Sequence, residues 1–339
     1  MARTLFGAYA RACTMRAMDT RRPPLPNFFI VGTGKAGTTS LHDYLGQHPQ
    51  IYMSPVKEPS YFASEIRAAN LSGQFQRHVQ KQTAELPKRI NDGLPVKPLG
   101  WLAFEWEDYL RLFQGVKDET AIGDASPSYL WSPTAPQNIR ERVPEARIVM
   151  VLRDPAERAF SHYLHQLAVG LTRAGFREHI EACARGGHRT IGTLYPFLEI
   201  GLYYQQVKRY LERFPRDHIR IYWYEEDWRQ PARLLADLFA FLDVDPAFQP
   251  DTSQKRLERR APRLAGLSYF LKKYNVWYPL RAMVPAKLRP SLKKAAFRRG
   301  KSLAMDPKDR QYLVDYYRED ILQLAALLDR DLSGWLRVQ

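Results

Sequence analysis

A short stretch near the N-terminus combines the residues that a phosphate site needs. Phe28 to Leu45 reads FFIVGTGKAGTTSLHDYL, an apolar run followed by Gly32, four residues, Gly37 and two threonines. Glycines let backbone N–H groups face an anion, and a helix that begins there adds its positive end. The triphosphate loop G-x-x-x-x-G-K-[ST] carries its lysine after the second glycine. Here the loop's only lysine is Lys35, so the stretch predicts a phosphate site with a displaced cation.

A second candidate group follows the strongest buried-strand pattern in the chain. The run ARIVMVLRDP ends in Arg153 and Asp154. A kinase with this kind of loop also needs Mg²⁺, held by the loop Ser or Thr and by an Asp at the end of a buried strand. Arg153 beside Asp154 suits an anion better than Mg²⁺. The pattern favours a metal-free donor of lower charge that Lys35 neutralises, and a metal-dependent small-molecule kinase remains the alternative.

The elements around these residues alternate between strands and helices. Short apolar runs predict strands, and amphipathic runs with Pro at their borders predict helices. The predicted strands cover 27–32, 50–54, 120–131 (with a closing turn), 146–155 and 218–228, and the helices 38–49, 105–114, 133–144, 155–169, 201–215, 231–244 and 306–332. This order predicts an α/β fold, a three-layer parallel sheet with helices on both faces and P-loop-like nucleotide binding. Ligands of such sheets bind at the carboxyl ends of strands, where both motifs lie.

The chain of 339 residues, 45% hydrophobic, is long enough for a sizeable core. We expect a flexible tail over 1–25, a catalytic core over 26–250, and a basic segment with a closing helix of the same domain over 251–339. Residues 64–100 show a weak, polar pattern and predict an insertion with little regular structure. Cys13 and Cys183 are too few for a disulfide framework, which indicates a reducing compartment and a cytoplasmic protein.

The net charge of +15 is concentrated near the C-terminus. Residues 259–304 contain thirteen Lys or Arg and no acidic residue. Nucleic-acid binders interleave such charge with base-stacking aromatics or carry a known module, and the sequence shows no such module, so we expect no nucleic-acid partner. Residues 269–302 mix cations with aromatic and aliphatic side chains. This segment fits either a solvated lid over the active site or peripheral contact with an anionic membrane.

Four segments in the same order resemble sulfotransferases that use 3′-phosphoadenosine 5′-phosphosulfate (PAPS). KAGTTSL (35–41) is similar to their 5′-phosphosulfate loop and VLRDPAERAFSHY (151–163) to their 3′-phosphate motif. KEPSYF (57–62) and GDASPSYLW (123–131) are similar to the intervening segments of the heparan-sulfate-type and bacterial branch. The terminal LLDRDLSGWL is also typical of bacterial members. The resemblance covers most of 27–244 and the last helix.

The resemblance implies a role for each matching residue. Lys35 would stabilise charge on the leaving phosphate, and Glu58 would be the general base. Arg153 and Ser161 would bind the 3′-phosphate. The residues that would wrap the 5′-phosphosulfate are Gly34, Lys35, Ala36, Gly37, Thr38, Thr39 and Ser40. Lys255 and Arg256 are the nearest candidates for the basic loop that closes over the nucleotide in heparan-type enzymes.

The implied reaction is in-line transfer of the sulfuryl group to a hydroxyl or amine of a carbohydrate, glycolipid or small molecule, without a metal. A non-catalytic nucleotide- or membrane-binding protein is the second alternative.

Several other polar and aromatic residues have two interpretations each. Glu58 could instead pair with Lys57. Asp124 could be a catalytic acid or cap a turn before SPSY. His162 and His165 resemble a metal pair, although no third ligand of matching spacing follows. The aromatics that could line an acceptor cleft or belong to the core are Trp101, Trp106, Tyr129 and Trp131.

Overall fold

The sheet is parallel throughout and is built from five short strands. The computed structural model describes residues 24–67, 84–85, 87–89, 103, 105–186, 196–253, 260–262, 297–299 and 304–338. The strands are β1 (Phe28–Gly32), β2 (Ile51–Met53), β3 (Ala121–Ala125), β4 (Arg147–Leu152) and β5 (Ile219–Trp223). They lie in the order β2-β3-β1-β4-β5, and every neighbouring pair is parallel. The predicted parallel sheet is confirmed.

Helices cover both faces of this sheet. Alternate residues of β1 point to opposite sides, since Phe28 and Ile30 belong to one apolar cluster and Phe29 and Val31 to the other. On the first side pack α1 (Thr38–Leu45) and α9 (Pro231–Phe241). The remaining helices are α2 (Trp106–Arg111), α3 (Ser128–Trp131), α4 (Ala135–Arg142), α5 (Pro155–Ala168), α6 (Phe176–Ala184), α7 (Tyr203–Leu211), α8 (Tyr224–Asp227) and α10 (Pro307–Leu328). Buried residues of all of these except α8 join the second cluster. The three-layer α/β fold is therefore confirmed.

The last helix is tied to the core by polar contacts as well as by packing. Both carboxylate oxygens of Asp320 accept backbone N–H groups at the start of α7, from Tyr203 at 2.6 Å and from Tyr204 at 3.1 Å. The Tyr317 hydroxyl donates to the carbonyl of Leu198 at 2.9 Å. An acidic side chain at a helix N-terminus satisfies amides that have no partner within the helix. The segment thus completes the core that begins about 300 residues earlier.

Three local predictions were wrong. Within 120–131 the expected strand ends before the Pro-Ser pair, at Ala125, but the residues expected to form only a closing turn form the helix α3. The strand expected over 218–228 ends at Trp223, where α8 begins. Asp227 closes that turn by accepting the Trp223 N–H at 2.5 Å. Helix α6 was not predicted. Aromatic-rich runs of four residues fit a strand or one helical turn equally well, so only packing separates them.

Parts of the basic segment and of the insertion lie outside the described residues. From the basic segment the structure shows β6 (Arg260–Pro262) paired antiparallel with β7 (Phe297–Arg299). From the insertion it shows helical residues at 84–85 and 87–89. Most of the segment expected to act as a lid or membrane contact, 269–302, falls outside the description, and so do Lys255, Arg256 and Trp101. The tail and domain limits stay predictions.

Candidate active site

The loop after β1 has the geometry of an anion site. Helix α1 begins at Thr38, and Gly37 before it makes no side-chain cap, so the first amides of the helix are left to other acceptors. Gly37 has φ 85°, and a Cβ there would lie 2.6 Å from the Trp228 ring. The Trp228 indole N–H also donates to the carbonyl of Ala36 at 3.2 Å. The positive φ and the close approach of the Trp228 ring require glycine at position 37, and the hydrogen bond to Ala36 holds the loop against the end of α8.

Lys35 lies in this loop among other cations. It is half-buried and adopts φ 73°, a conformation that is rare outside glycine. Burial is the largest cause that lowers the pKa of Lys35, to about 8, and Lys57, Arg153 and Arg158 lower it further, whereas Glu58 raises it. A half-buried amine within reach of three cations creates a local positive potential. A bound anion would relieve this repulsion and raise the pKa of Lys35.

Arg153 joins the second motif directly to this loop. It follows β4, the neighbour of β1, and its Nη1 donates to the carbonyl of Lys35 at 2.8 Å. The guanidinium is only 7% exposed and lies 4.4 Å from the centre of the Tyr224 ring. Two carboxylates flank it at 3.8 Å, Glu157 beside Nη2 and Glu225 beside Nε. The two motifs, 118 residues apart in sequence, therefore form one site, as the carboxyl edge of a parallel sheet predicts.

Asp154 has its oxygens engaged by protein groups. Its Oδ1 accepts the N–H groups of Ala156 and Glu157 at 2.9 and 3.1 Å, which caps α5. Arg310 of α10 binds both oxygens, at 3.1 and 2.6 Å. The kinase interpretation needs this carboxylate as a Mg²⁺ ligand. A bidentate guanidinium in the same place opposes that use, because it already neutralises the charge and occupies the lone pairs.

Glu58 lies on the other side of Lys35. It follows β2, its backbone N–H donates to the carbonyl of Ala125 at 3.1 Å, and it has φ 66°. Its carboxylate forms an ion pair with Lys57, whose side chain is 2% exposed, while that of Glu58 is 34% exposed. The pairing with Lys57 is therefore present. It also leaves the carboxylate partly open to solvent and close enough to raise the pKa of Lys35.

The remaining predicted positions lie around this centre. Thr38 is buried, and Thr39 and Ser40 are half-buried at the start of α1. A Cβ on Gly34 would meet nothing within 4 Å, so space alone does not require glycine there. Ser161 is half-buried on α5, eight residues after Arg153. Within the described residues, Ser161 is not among the polar contacts of Arg153.

The other polar candidates are structural in their contacts. Asp124 is fully buried and accepts hydroxyl groups from Tyr109 and Tyr129 at 2.9 and 2.7 Å and from Ser126 at 2.8 Å. Burial raises its pKa to about 6, against these three hydrogen bonds. A carboxylate enclosed in this way neither caps backbone amides of the turn nor reaches an acceptor.

His162 and His165 lie in different environments. His162 stacks on Phe197 with ring centres 4.9 Å apart and lies 3.4 Å from Arg158 Nη1, whereas His165 is exposed. Burial and the Arg158 charge hold the pKa of His162 well below its usual range. Of the aromatics, Tyr129 is core, and Trp106 is half-buried against the same cluster.

Sequence reasoning missed the residues that β5 delivers to the site. The predicted strand 218–228 includes Tyr224, Glu225 and Trp228 and assigns none of them a role, whereas α8 begins at Tyr224. For Arg310 the sequence predicts only that it belongs to the closing helix. The usable signal is positional: the polar YEED segment directly follows the run IRIYW, as the other two motifs follow their apolar runs.

A parallel sheet with an anion loop after one strand and a buried arginine after its neighbour defines a P-loop-like α/β nucleotide-binding fold. The sequence profile described as "Sulfotransferase family" matches residues 26–250, so the chain belongs to the sulfotransferase family. The resemblance drawn from the motifs is thereby confirmed.

Three relatives place the chain within this family. A sulfotransferase from Alicyclobacillus acidocaldarius, known by crystal structure, is 30% identical with a TM-score of 0.66 over 93% of this chain and 100% of that one. Carbohydrate sulfotransferase 15 of Mus musculus is 26% identical over 290 residues, 70% of this chain and 46% of that protein. Bifunctional heparan sulfate N-deacetylase/N-sulfotransferase 3 of Homo sapiens is 26% identical over 321 residues, 92% of this chain and 31% of that protein. The chain thus spans less than half the length of these curated relatives.

A helix that crosses a bilayer needs a long apolar stretch. Among the residues that the structure describes, no helix is both long and apolar enough to cross a membrane.

Proposed function

We propose that this chain transfers the sulfuryl group of PAPS to a hydroxyl or amine of an acceptor. The observation that carries the proposal is the hydrogen bond from Arg153 to the carbonyl of Lys35. It joins a cationic loop suited to one phosphate with a forked cation suited to a second, as a nucleotide with phosphates at both the 5′ and 3′ positions requires. Membership in the sulfotransferase family supports the same donor.

The roles follow from charge and position. The bond from sulfur to the bridging oxygen breaks as the bond from sulfur to the acceptor forms. Lys35 and the first amides of α1 stabilise the negative charge that develops on the leaving bisphosphate. Glu58 receives the acceptor's proton, since it is the partly exposed carboxylate beside Lys35. Arg153 and Ser161 hold the 3′-phosphate.

The charge required for this chemistry is supplied by the protein. Lys57 and Arg158 reinforce Lys35 electrostatically. Asp154, the candidate Mg²⁺ ligand of a kinase, is bound by Arg310 instead. These contacts favour a metal-free transfer over the kinase alternative, and we expect excess chelator to leave the rate unchanged.

A carbohydrate is the acceptor class that we favour. The curated relatives named above are a carbohydrate sulfotransferase and a heparan sulfate N-sulfotransferase, and the second aligns with 92% of this chain. A glycolipid presents the same hydroxyl chemistry. The small number of cysteines keeps a cytoplasmic location as part of the proposal.

Incubation with ³⁵S-labelled PAPS tests the function. The purified chain is mixed with heparan- and chondroitin-type saccharides, with a glycolipid extract and with small phenols, and labelled products are identified by mass. We expect label on a saccharide or glycolipid, unaffected by chelator, and none with Lys35→Ala. Transfer from γ-labelled ATP that depends on Mg²⁺ would overturn the proposal in favour of a kinase. Tight nucleotide binding without transfer to any acceptor class would favour a binding protein.

A further inference from the structure

The carboxylate of Glu225 lies beside the arginine proposed to bind the 3′-phosphate. Its Oε1 accepts the N–H of Asp154 at 3.2 Å and is 3.8 Å from Arg153 Nε. Its second oxygen, Oε2, is buried and has no hydrogen-bond partner among the described residues, and the same holds for Arg153 Nε. An unpartnered acceptor and an unpartnered donor therefore occupy one small site. Such atoms are costly to bury unless a ligand or a proton satisfies them.

An ionised carboxylate in this place opposes the proposed ligand. A phosphate dianion brought next to it would be repelled, whereas a neutral carboxyl group could donate a hydrogen bond from its protonated oxygen. Oε1 is held by a backbone N–H, which leaves Oε2 as the oxygen to carry a proton. The charged and titratable groups that surround Glu225 are Arg153, Asp154 and Glu157 at the start of α5, Tyr203 on α7 and Arg310 on α10.

Burial and the neighbouring Asp154 both raise the pKa of Glu225. Burial is the largest cause that raises the pKa of Glu225, to about 7, and Asp154 raises it further, against Arg153 and two backbone hydrogen bonds. Glu157 lies at the same 3.8 Å from the guanidinium, and its side chain is exposed to a similar degree, 29% against 35% for Glu225. The two differ in that Glu225 Oε2 is a buried atom without a hydrogen-bond partner among the described residues, whereas no oxygen of Glu157 is. Of the two flanking carboxylates, Glu225 is therefore the one with a buried oxygen that is left to carry a proton.

We propose that Glu225 binds the 3′-phosphate as a neutral acid, taking up one proton when the nucleotide binds and donating a hydrogen bond from Oε2 to a phosphate oxygen. The proton comes from solvent and returns to it when the bisphosphate product leaves, and no bond of the nucleotide changes in this step. The inference rests on the proposed function. It makes Glu225 a second group, besides Arg153, that recognises the 3′-phosphate. The carboxyl group of Glu225 can donate this hydrogen bond only when it is protonated.

Calorimetric proton counting tests the proposal. The product, 3′-phosphoadenosine 5′-phosphate, is titrated into the full chain at pH 7.5 in buffers of different ionisation enthalpy, and the slope gives the protons taken up. A phosphate monoester has its second pKa at about 6, so the ligand itself is a dianion at this pH. We expect Glu225→Gln to take up roughly 0.7 of a proton fewer than the wild type. The amide keeps the contact to the Asp154 N–H, so the variant retains the local structure.

Two controls separate Glu225 from other titrating groups. Lys35 also gains a proton when an anion binds, but it is present in both chains, and the difference between them removes its contribution. Glu157→Gln changes the same charge at the same distance from Arg153 and is expected to retain the wild-type proton number. With adenosine 5′-phosphate, which lacks the 3′-phosphate, the wild type and Glu225→Gln are expected to take up equal numbers of protons.

The pH dependence of affinity gives a second measurement. Between pH 7.5 and 9, each pH unit is expected to lower the affinity of the wild type by about tenfold more than it lowers that of Glu225→Gln. Equal proton numbers in the wild type and Glu225→Gln, with tight binding in both, would overturn this inference alone. Failure of the wild type to bind the bisphosphate would overturn the proposed donor and this inference with it.

Discussion

The guanidinium of Arg310 binds both carboxylate oxygens of Asp154, a residue 156 positions earlier in the chain. Arg310 also donates to the carbonyls of Arg337 and Trp335, at 3.0 and 3.2 Å. One buried side chain thus connects the C-terminal segment to the residue next to Arg153. The closing helix is therefore part of the support of the nucleotide site.

Removal of Arg310 should be strongly destabilising. Arg310→Ala leaves the buried charge of Asp154 with only its helix-capping partners, and breaking a buried pair costs about 3–5 kcal/mol of unfolding free energy. Urea denaturation measures the change. Arg318→Ala is a matched control on the same helix, because its ion pair with Asp315 at 3.2 Å is about half exposed on both sides and such pairs contribute about 0–1 kcal/mol. Equal losses in the two variants would contradict the role assigned to Arg310.

Position 37 should not tolerate a side chain. Gly37→Ala places a Cβ against the Trp228 ring and forces alanine into a left-handed conformation, which alone costs roughly 1–2 kcal/mol. We expect lower thermal stability and a large loss of bisphosphate affinity. Gly34→Ala is the stability control, since its Cβ would meet nothing within 4 Å. A Gly37→Ala variant as stable as Gly34→Ala would show that the loop and Trp228 are not packed as described.

Activity should fall in alkaline solution through Lys35. Because burial and neighbouring cations lower the pKa of its amine to about 8, the charged form is complete below that value and is lost as pH rises through it. In kcat/KM, which reports the free enzyme, we expect Lys35 to contribute a decrease of about tenfold per pH unit above pH 8, in addition to the decrease due to Glu225. Lys35→Arg keeps its charge, so its lower kcat/KM should fall less steeply than that of the wild type, by about tenfold less per pH unit, and retain only the decrease due to Glu225. A wild-type profile that is level from pH 7 to 9.5 would contradict the assignment.

Glu58 should affect turnover without affecting nucleotide binding. Glu58→Gln retains the shape of the side chain and removes its basicity, and a positioned base contributes about 10²- to 10⁴-fold. We expect kcat to fall within that range while the dissociation constant of the bisphosphate stays nearly unchanged by calorimetry. A kcat within about threefold of the wild type would exclude Glu58 as the base. Asp124 would not replace it, because its carboxylate is fully buried among hydroxyl donors.

Arg153 should discriminate between nucleotides with and without the 3′-phosphate. Arg153→Lys is the informative variant, because Arg153→Ala would also release the loop at the Lys35 carbonyl. A lysine can keep that single hydrogen bond but cannot offer a fork to phosphate. We expect at least about tenfold weaker binding of 3′-phosphoadenosine 5′-phosphate and little change for adenosine 5′-phosphate. Equal weakening of both nucleotides would mean that Arg153 holds the loop and not the 3′-phosphate.

The parts of the site that the sequence revealed are those with short, local signatures. Gly32, Lys35, Gly37 and the helix after them occupy one continuous stretch, and Arg153 ends an apolar run that can only be a buried strand. Because parallel strands expose their carboxyl ends on one edge, the sequence alone predicts that these residues lie together. The role of Glu58 is implied by the resemblance of KEPSYF to sulfotransferases, and its ion pair with Lys57 is one of the interpretations that the sequence leaves open.

The residues that escaped prediction act across long distances in the chain. Trp228, Glu225 and Arg310 each meet a partner between 71 and 192 residues away, and no periodicity in the sequence records such a contact. Asp124 shows the same limit, because its three hydroxyl donors include Tyr109, on a helix that precedes β3.

By itself the sequence determined the fold class, the anion loop and the arginine after β4, because each depends on hydrophobic pattern, glycine and residue type within a short window. Only the tertiary structure decided that Asp154 belongs to Arg310, that Trp228 closes the loop at Gly37, and that Glu225 faces Arg153. The reason is physical. Strand order and side-chain burial are set by the packing of all layers together, and burial determines which carboxylates stay charged and which are prepared to accept a proton.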